Sequence, residues 1–276
     1  MPLAPQDLER YARHLILGEV GGAGQLKLSE SRVLVVGAGG LGAPLLLYLA
    51  AAGVGALGIV DDDSVALSNL QRQIIHNEAR IGAPKTESAK ASIAALNRTT
   101  KVDCHTTRFN AENALDLIAR YDLVADGSDN FETRFLLNDA CYFAKRPLVS
   151  GSILRFDGQL STYKAYLGGQ HPCYRCIFRE PPPPGLIPSC AEGGVLGAIA
   201  GAIGSLQATE VLKELLGIGE SLSGQLLIYE ALSATFRKVK VKPDPECPLC
   251  GNNPTIRDLS LHRRDAAAAI CVPAMS

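Results

Sequence analysis

Short apolar runs and helix-like stretches alternate along the first half of the chain. VLVV at 33–36, a helical LLLYLAAA ending at Ala52 and LGIV at 57–60 are followed by a helical stretch over 84–97 and then KVDCHT. A helix over 112–120, DLVAD, a helix over 131–145 and PLVSGS continue the rhythm. Strands with apolar residues on both faces, separated by helices, predict a doubly wound parallel sheet of Rossmann type. The pattern then changes. In ILRFDGQLSTYK, Asp157-Gly158 separates two alternating runs, which predicts a hairpin turn at that dipeptide and an antiparallel end to a mixed sheet. Residues 181–184 are all proline and predict an exposed loop. A long helix over 195–216 and strands in QLLIYEA and TFRKVKV complete the α/β pattern, and the residues beyond 256 carry no readable pattern.

The glycines settle how the most hydrophobic part is read. Residues 33–60 hold no charge, and a hydropathy window alone would take them for a membrane span. Seven glycines divide that run into strand, helix and strand, so a buried βαβ unit is expected instead. Asp7, Glu9 and Arg10 stand where a signal peptide needs its apolar segment, which places the protein in the cytoplasm as an expectation. Lysine and arginine number 27 against 28 acidic residues, so no general attraction to nucleic acid or an anionic membrane is built in. In a reducing compartment the eight cysteines are to be read for metal or catalysis rather than for disulfides.

Gly37-Ala38-Gly39-Gly40-Leu41-Gly42 fits G-x-G-x-x-G directly after a strand and before a helix, and Asp61 ends the next strand about twenty residues on. Such glycines let the backbone approach a phosphate at a helix N-terminus, and Asp61 stands where a ribose hydroxyl is bound. Taken alone the motif suggests a nicotinamide or flavin oxidoreductase, or simply a tight turn. Asn69 and Arg72, three apart, and then Lys85 add two cations and an amide beyond the ribose position. That suits a triphosphate, whose leaving group gathers charge, although each cation by itself also reads as a solvated surface residue. Asp129 in Asp126-Gly-Ser-Asp129-Asn130 follows a strand at the sheet's carboxyl edge, as a Mg²⁺ carboxylate or as a helix N-cap before Phe131. Cys173, Cys176, Cys247 and Cys250 form two C-x₂-C pairs that offer four thiolates to a structural zinc, with redox chemistry as the alternative. Cys190, before the long helix, reads either as a reactive thiol or as an inert small residue at a helix entry. Cys104, Cys141 and Cys271 look like core or tail residues.

RYARH, GAGGLG, VDDD, LSNLQRQ, APK, SDNFETR, CYRC, SCAEGGVLG and CPLCG, in this order, resemble the MoeB/ThiF/HesA group of ubiquitin-activating-enzyme-like adenylyltransferases. The resemblance implies one adenylation domain over 1–255, made of a helical arm (1–30), a nucleotide-binding core (31–150) and a crossover loop with a zinc-stapled part (151–255), then a tail without clear structure (256–276). It implies that ATP adenylates the C-terminal Gly-Gly of a ubiquitin-like sulfur carrier, releasing pyrophosphate. Gly37, Gly39, Gly40, Gly42, Asp61, Asp63, Ser68, Asn69 and Asn130 would bind nucleotide; Arg72 and Lys85 would hold its phosphates, Asp129 its Mg²⁺ and the four paired cysteines zinc. Arg13 would reach the nucleotide of a partner subunit, which implies a homodimer, and Cys190 would be a nucleophile. RFDGQLSTYK, the proline loop and SCAEGGVLG lean toward the molybdopterin side, whereas Asp61-Asp62-Asp63 leans toward the thiamine side. Relatives with this proline loop carry a C-terminal rhodanese domain; too few residues follow Gly251 for one, so a separate sulfurtransferase is expected. A scaffold that binds the carrier without activating it is the non-enzymatic alternative.

Overall fold

A computed structural model describes residues 4–183 and 193–263. Eight strands among them, β1 (Arg32–Val36), β2 (Ala56–Val60), β3 (Lys101–His105), β4 (Leu123–Asp126), β5 (Leu148–Leu154), β6 (Asp157–Tyr163), β7 (Gln225–Glu230) and β8 (Thr235–Lys240), join in one sheet. Its order is β3-β2-β1-β4-β5-β6-β7-β8. The first five strands run parallel, and β5 through β8 pair antiparallel, as the change in sequence pattern predicts. Chain order reverses direction between β1 and β4, which makes their carboxyl ends the topological switch point where open α/β sheets bind ligands.

Helices cover both faces. Val33 and Val35 of β1 pack on one side with α4 (Gly42–Ala51), α5 (Lys85–Leu96) and α8 (Gly197–Leu216) through Leu45, Leu49, Ile93 and Val211. Leu34 and Val36 pack on the other side with α6 (Ala114–Ile118) and α7 (Phe131–Ala144) through Ile118, Phe135 and Leu137. The two-residue period of β1 therefore feeds two separate cores, which is why VLVV needs no polar position. In the N-terminal arm, α1 (Pro5–Arg10), α2 (Ala12–Leu15) and α3 (Gly21–Glu30) precede β1, and Tyr11 docks the arm by accepting a bond from Asn97 Nδ2 at 2.9 Å. No helix among the described residues is long and apolar enough to cross a membrane.

One expectation is corrected. Leu154 pairs with Asp157, so the β5–β6 turn is Arg155-Phe156, with Arg155 at φ 54°, and Asp157-Gly158 lies inside β6. Gly158 serves packing instead of turning: a Cβ there would lie 2.4 Å from Ile203 of α8. The described part of the tail, residues 256–263, is held at three side chains, with the residues between them exposed. Ile256 lies against the cysteine cluster, Leu259 enters the α6–α7 core, and His262 Nε2 meets Asp139 Oδ2 at 2.8 Å. The anchors fall three residues apart, but one of them is a histidine and Leu261 between them is exposed, so apolar positions in the sequence do not mark them.

Candidate functional site

The glycine loop sits at the switch point because its backbone is packed against that of the β4 loop. Gly37, at φ 96°, has no room for a side chain, since a Cβ would fall 2.7 Å from Gly127 O; at Gly42 one would fall 1.9 Å from Gly37 O. Ala38, between them, is bound on both sides. Its N–H donates to Asp61 Oδ2 at 2.8 Å, and its carbonyl lies 3.0 Å from His76 Nε2. Asp61 Oδ1 accepts from Asp63 N at 2.9 Å. Burial pushes the Asp61 carboxyl up, while Lys85 and the two N–H donors pull it back.

Lys85 opens α5 with its amine buried and ion-paired to Asp63 Oδ2 at 2.6 Å. Arg72 is half-buried, and its Nη1 donates to Ser68 O at 3.1 Å in an exposed bond. Its Cγ and Cδ lie 3.6 Å from where a Cβ on Gly40 would stand. The stem therefore runs beside the glycine loop while the guanidinium reaches solvent. Asn69 turns Oδ1 inward to accept from Ala66 N at 3.1 Å, holding the turn that carries Ser68 and Arg72. The N-cap of α7 is Asn130, whose Oδ1 accepts from Thr133 N at 2.8 Å. Asp129 is thereby left exposed, with no hydrogen bond or ion pair among the described residues. Arg13, on α2, is exposed and likewise unpaired among them. Cys190 lies outside the described residues, as does Cys271. Of the remaining cysteines outside the pairs, burial pushes the Cys104 thiol up to about 11, and Cys141 is fully buried in the α7 core.

Several residues that shape this site have no role assigned from the sequence, although Asp126 and Gln73 lie inside the motifs quoted above. Asp126 is wholly buried and accepts from Ser128 N, Ser128 Oγ (2.6 Å) and Ser150 Oγ (2.7 Å), with Arg134 Nε at 3.5 Å. Gln207 of α8 donates to the Asp126 carbonyl at 2.8 Å. This lattice fixes the loop that presents Asp129. His76 and Gln73 form the wall behind the glycine loop, with Gln73 Nε2 lying 3.6 Å from where a Cβ on Gly39 would stand. Both belong to a stretch of turns with neither helical nor strand period, so periodicity does not mark them.

The four paired cysteines converge on one point. Their Sγ atoms all lie within 4.8 Å of one another, with Cys173–Cys176 at 3.8 Å, Cys173–Cys247 at 3.5 Å, and Cys176–Cys250 and Cys173–Cys250 both at 3.4 Å. A ZnS₄ tetrahedron with bonds of about 2.3 Å has sulfur edges of about 3.8 Å, so the donor set fits zinc. Two independent redox pairs would have no reason to meet. Hydrogen bonding from Cys173 draws the Cys176 thiol down to about 7. Between the first two thiols, Arg175 makes a bidentate pair with Asp139 of α7, both contacts at 2.8 Å, tying the centre to the helix that starts beside Asp129.

The ThiF family model matches residues 11–249. The chain belongs to the ThiF family. It is 50% identical over 256 residues to a sulfur carrier protein adenylyltransferase of Thermus thermophilus, covering 92% of this chain and 94% of that one. It is 52% identical to the adenylyltransferase and sulfurtransferase MOCS3 of Bos taurus over 93% of its own length, and spans 56% of that relative. Family and relatives make it an enzyme of the adenylyltransferase class. A crystal structure of E. coli MccB with MccA-N7isoASN has the same fold, with a TM-score of 0.76, 22% identity and coverage of 89% of this chain and 75% of that one.

Proposed function

We propose that this ThiF-family chain uses ATP to adenylate the C-terminal glycine of a small ubiquitin-like sulfur carrier, preparing it for sulfur transfer in molybdenum cofactor biosynthesis. The observation that carries the reading is the convergence, at the carboxyl ends of β1, β2 and β4, of the glycine loop, Asp61, the Asp63–Lys85 pair and Asp129. Asp61 would hold the ribose, with Gly37, Gly39, Gly40 and Gly42 giving close approach to the phosphates; Ser68, Asn69 and Asn130 would shape the rest of the nucleotide site. Arg72 and Lys85 would neutralise charge on the departing pyrophosphate. Asp129, free of the cap role, would hold Mg²⁺, which when bound supplies further charge neutralisation.

A glycine carboxylate is ionised at neutral pH, so its oxygen attacks the α-phosphorus without a base. The new O–P bond forms as the bond to the α–β bridging oxygen breaks, and pyrophosphate leaves with that electron pair. No proton moves, so the chain's task is alignment and charge neutralisation. The cysteine centre, with all four ligands from protein, would leave zinc no open position and serve structure alone. Arg13, exposed and unpaired among the described residues, would complete the site of a second copy in a homodimer. Cys190 would act after activation, receiving the acyl group from the adenylate, and a separate sulfurtransferase would supply sulfur.

The Asp61-Asp62-Asp63 run supports the thiamine-pathway carrier as a second reading. Intact-mass measurement of both carrier types after incubation with the chain, ATP and Mg²⁺ tests the proposal. An AMP adduct on the molybdopterin-type carrier is expected to form faster than on the thiamine type; the reverse preference overturns the pathway, and an adduct on neither overturns the reaction.

A further inference from the structure

We infer that His76 is a positioning residue for the nucleotide loop, holding the Ala38–Gly39 peptide so that the Gly39 N–H faces the nucleotide. This rests on the nucleotide reading given above.

Four observations lead to it. His76 is buried, and its two ring nitrogens meet two different elements: Nε2 lies 3.0 Å from Ala38 O, and Nδ1 lies 2.9 Å from Ser88 Oγ of α5. A carbonyl oxygen only accepts, so Nε2 carries the proton, and in a neutral ring Nδ1 then accepts from the Ser88 hydroxyl. Burial lowers the His76 pKa, the hydrogen bond to Ala38 opposes that shift, and the charges of Lys85 and Arg80 add to it, so the net direction favours the neutral ring. Finally, neither Gly39 N–H nor Gly40 N–H makes a hydrogen bond among the described residues.

Peptide planarity joins these facts. In a trans peptide the carbonyl and the following N–H point in opposite directions, so a carbonyl of Ala38 held toward His76 sends the Gly39 N–H away from it. Ala38 N–H is fixed in turn by Asp61. That N–H belongs to the preceding Gly37–Ala38 peptide, so the planes on both sides of the Ala38 Cα are each held by one hydrogen bond, and an unpaired donor is aimed out of the loop without conformational search when an anion arrives. Glycine on one side of that peptide leaves its rotation nearly free of steric cost, so the restraint has to come from a hydrogen bond. Ser88 lies one helical turn after Lys85, and Arg80 Nη1 clamps the same turn through Ser88 O (2.7 Å) and Ser92 Oγ (2.6 Å). The imidazole thus also ties the glycine loop to the helix that carries the buried amine.

Substitution with a donor-retaining and a donor-free side chain separates positioning from bulk. His76→Leu is expected to raise KM for ATP about tenfold, the size of one neutral hydrogen bond, with KM for the carrier within about twofold of wild type. His76→Gln, whose Nε2 can still donate to Ala38 O, is expected to recover most of the ATP affinity. Equal effects of the two variants, or parallel losses in both KM values that follow a fall in thermal stability, would show a packing residue and overturn the inference. A second measurement needs no variant. Nitrogen-15 spectra of the wild-type chain at neutral pH should show His76 protonated at Nε2 alone; a proton on Nδ1 alone would overturn it equally. A wild-type chain that binds no ATP would contradict the nucleotide reading itself, a result distinct from either.

Discussion

Lys85 shows how one residue can look ordinary in sequence and unusual in the fold. Its amine is buried, while its partner Asp63 is 68% exposed, so solvent screens the pair and little stability is tied to it. An amine held in place by a screened carboxylate can exchange that partner for a phosphate at small cost. Lys85→Ala is therefore expected to lower the adenylation rate by roughly a hundredfold or more while leaving the circular-dichroism spectrum and cooperative melting intact; a variant that adenylates at the wild-type rate would remove Lys85 from the site. His76 gives a pH prediction of definite sign. Its folded-state pKa lies below the ordinary 6.5, so the neutral ring contributes stability above pH 6.5 that is lost as pH falls through the folded value. The melting temperature of the wild type should fall relative to that of His76→Gln as pH drops below 6.5. Parallel pH curves for the two proteins would show that the ring is not held neutral.

At the scale of elements, the glycine loop and the cysteine centre make opposite demands on sequence reading. The loop was legible because Gly37 and Gly42 are required by backbone contacts that no other residue permits, and the same contacts make a prediction. Gly42→Ala would bring a Cβ far inside van der Waals contact with Gly37 O, backbone on both sides, and should destabilise the chain by about 1–3 kcal/mol or prevent folding; chemical denaturation at wild-type midpoint would contradict the packing. The C-x₂-C pairs were legible from spacing, but their meeting across about seventy residues was a matter of tertiary structure. Cys250→Ser is expected to drop zinc, measured after purification without chelators, below about half an ion per chain. The Asp157-Gly158 dipeptide misleads because Gly158 looks the same whether it turns the chain or makes room for Ile203. The mixed sheet and the positions of its main helices followed from the pattern of apolar and polar residues, whereas the strand order came from the tertiary structure. The Asp126 lattice, His76 and the anchored residues 256–263 did not follow from that pattern either, since each depends on partners far along the chain.

For the whole molecule, the proposed homodimer turns on Arg13, which no side chain of its own chain engages among the described residues. If it completes a partner's site, Arg13→Ala and Arg72→Ala should each be inactive alone, yet mixing and reassociating them should restore about a quarter of the wild-type rate, because half the dimers carry one intact site. Failure to recover activity, with subunit exchange demonstrated, would place Arg13 outside the site. If the cluster at the ends of β1, β2 and β4 activates a carboxylate with ATP, the chain catalyses isotope exchange between pyrophosphate and ATP. The exchange should require both Mg²⁺ and a carrier ending in Gly-Gly, and should disappear when the carrier's terminal glycine is removed. A folded, zinc-loaded chain that shows no exchange with any such carrier would contradict activation at this cluster.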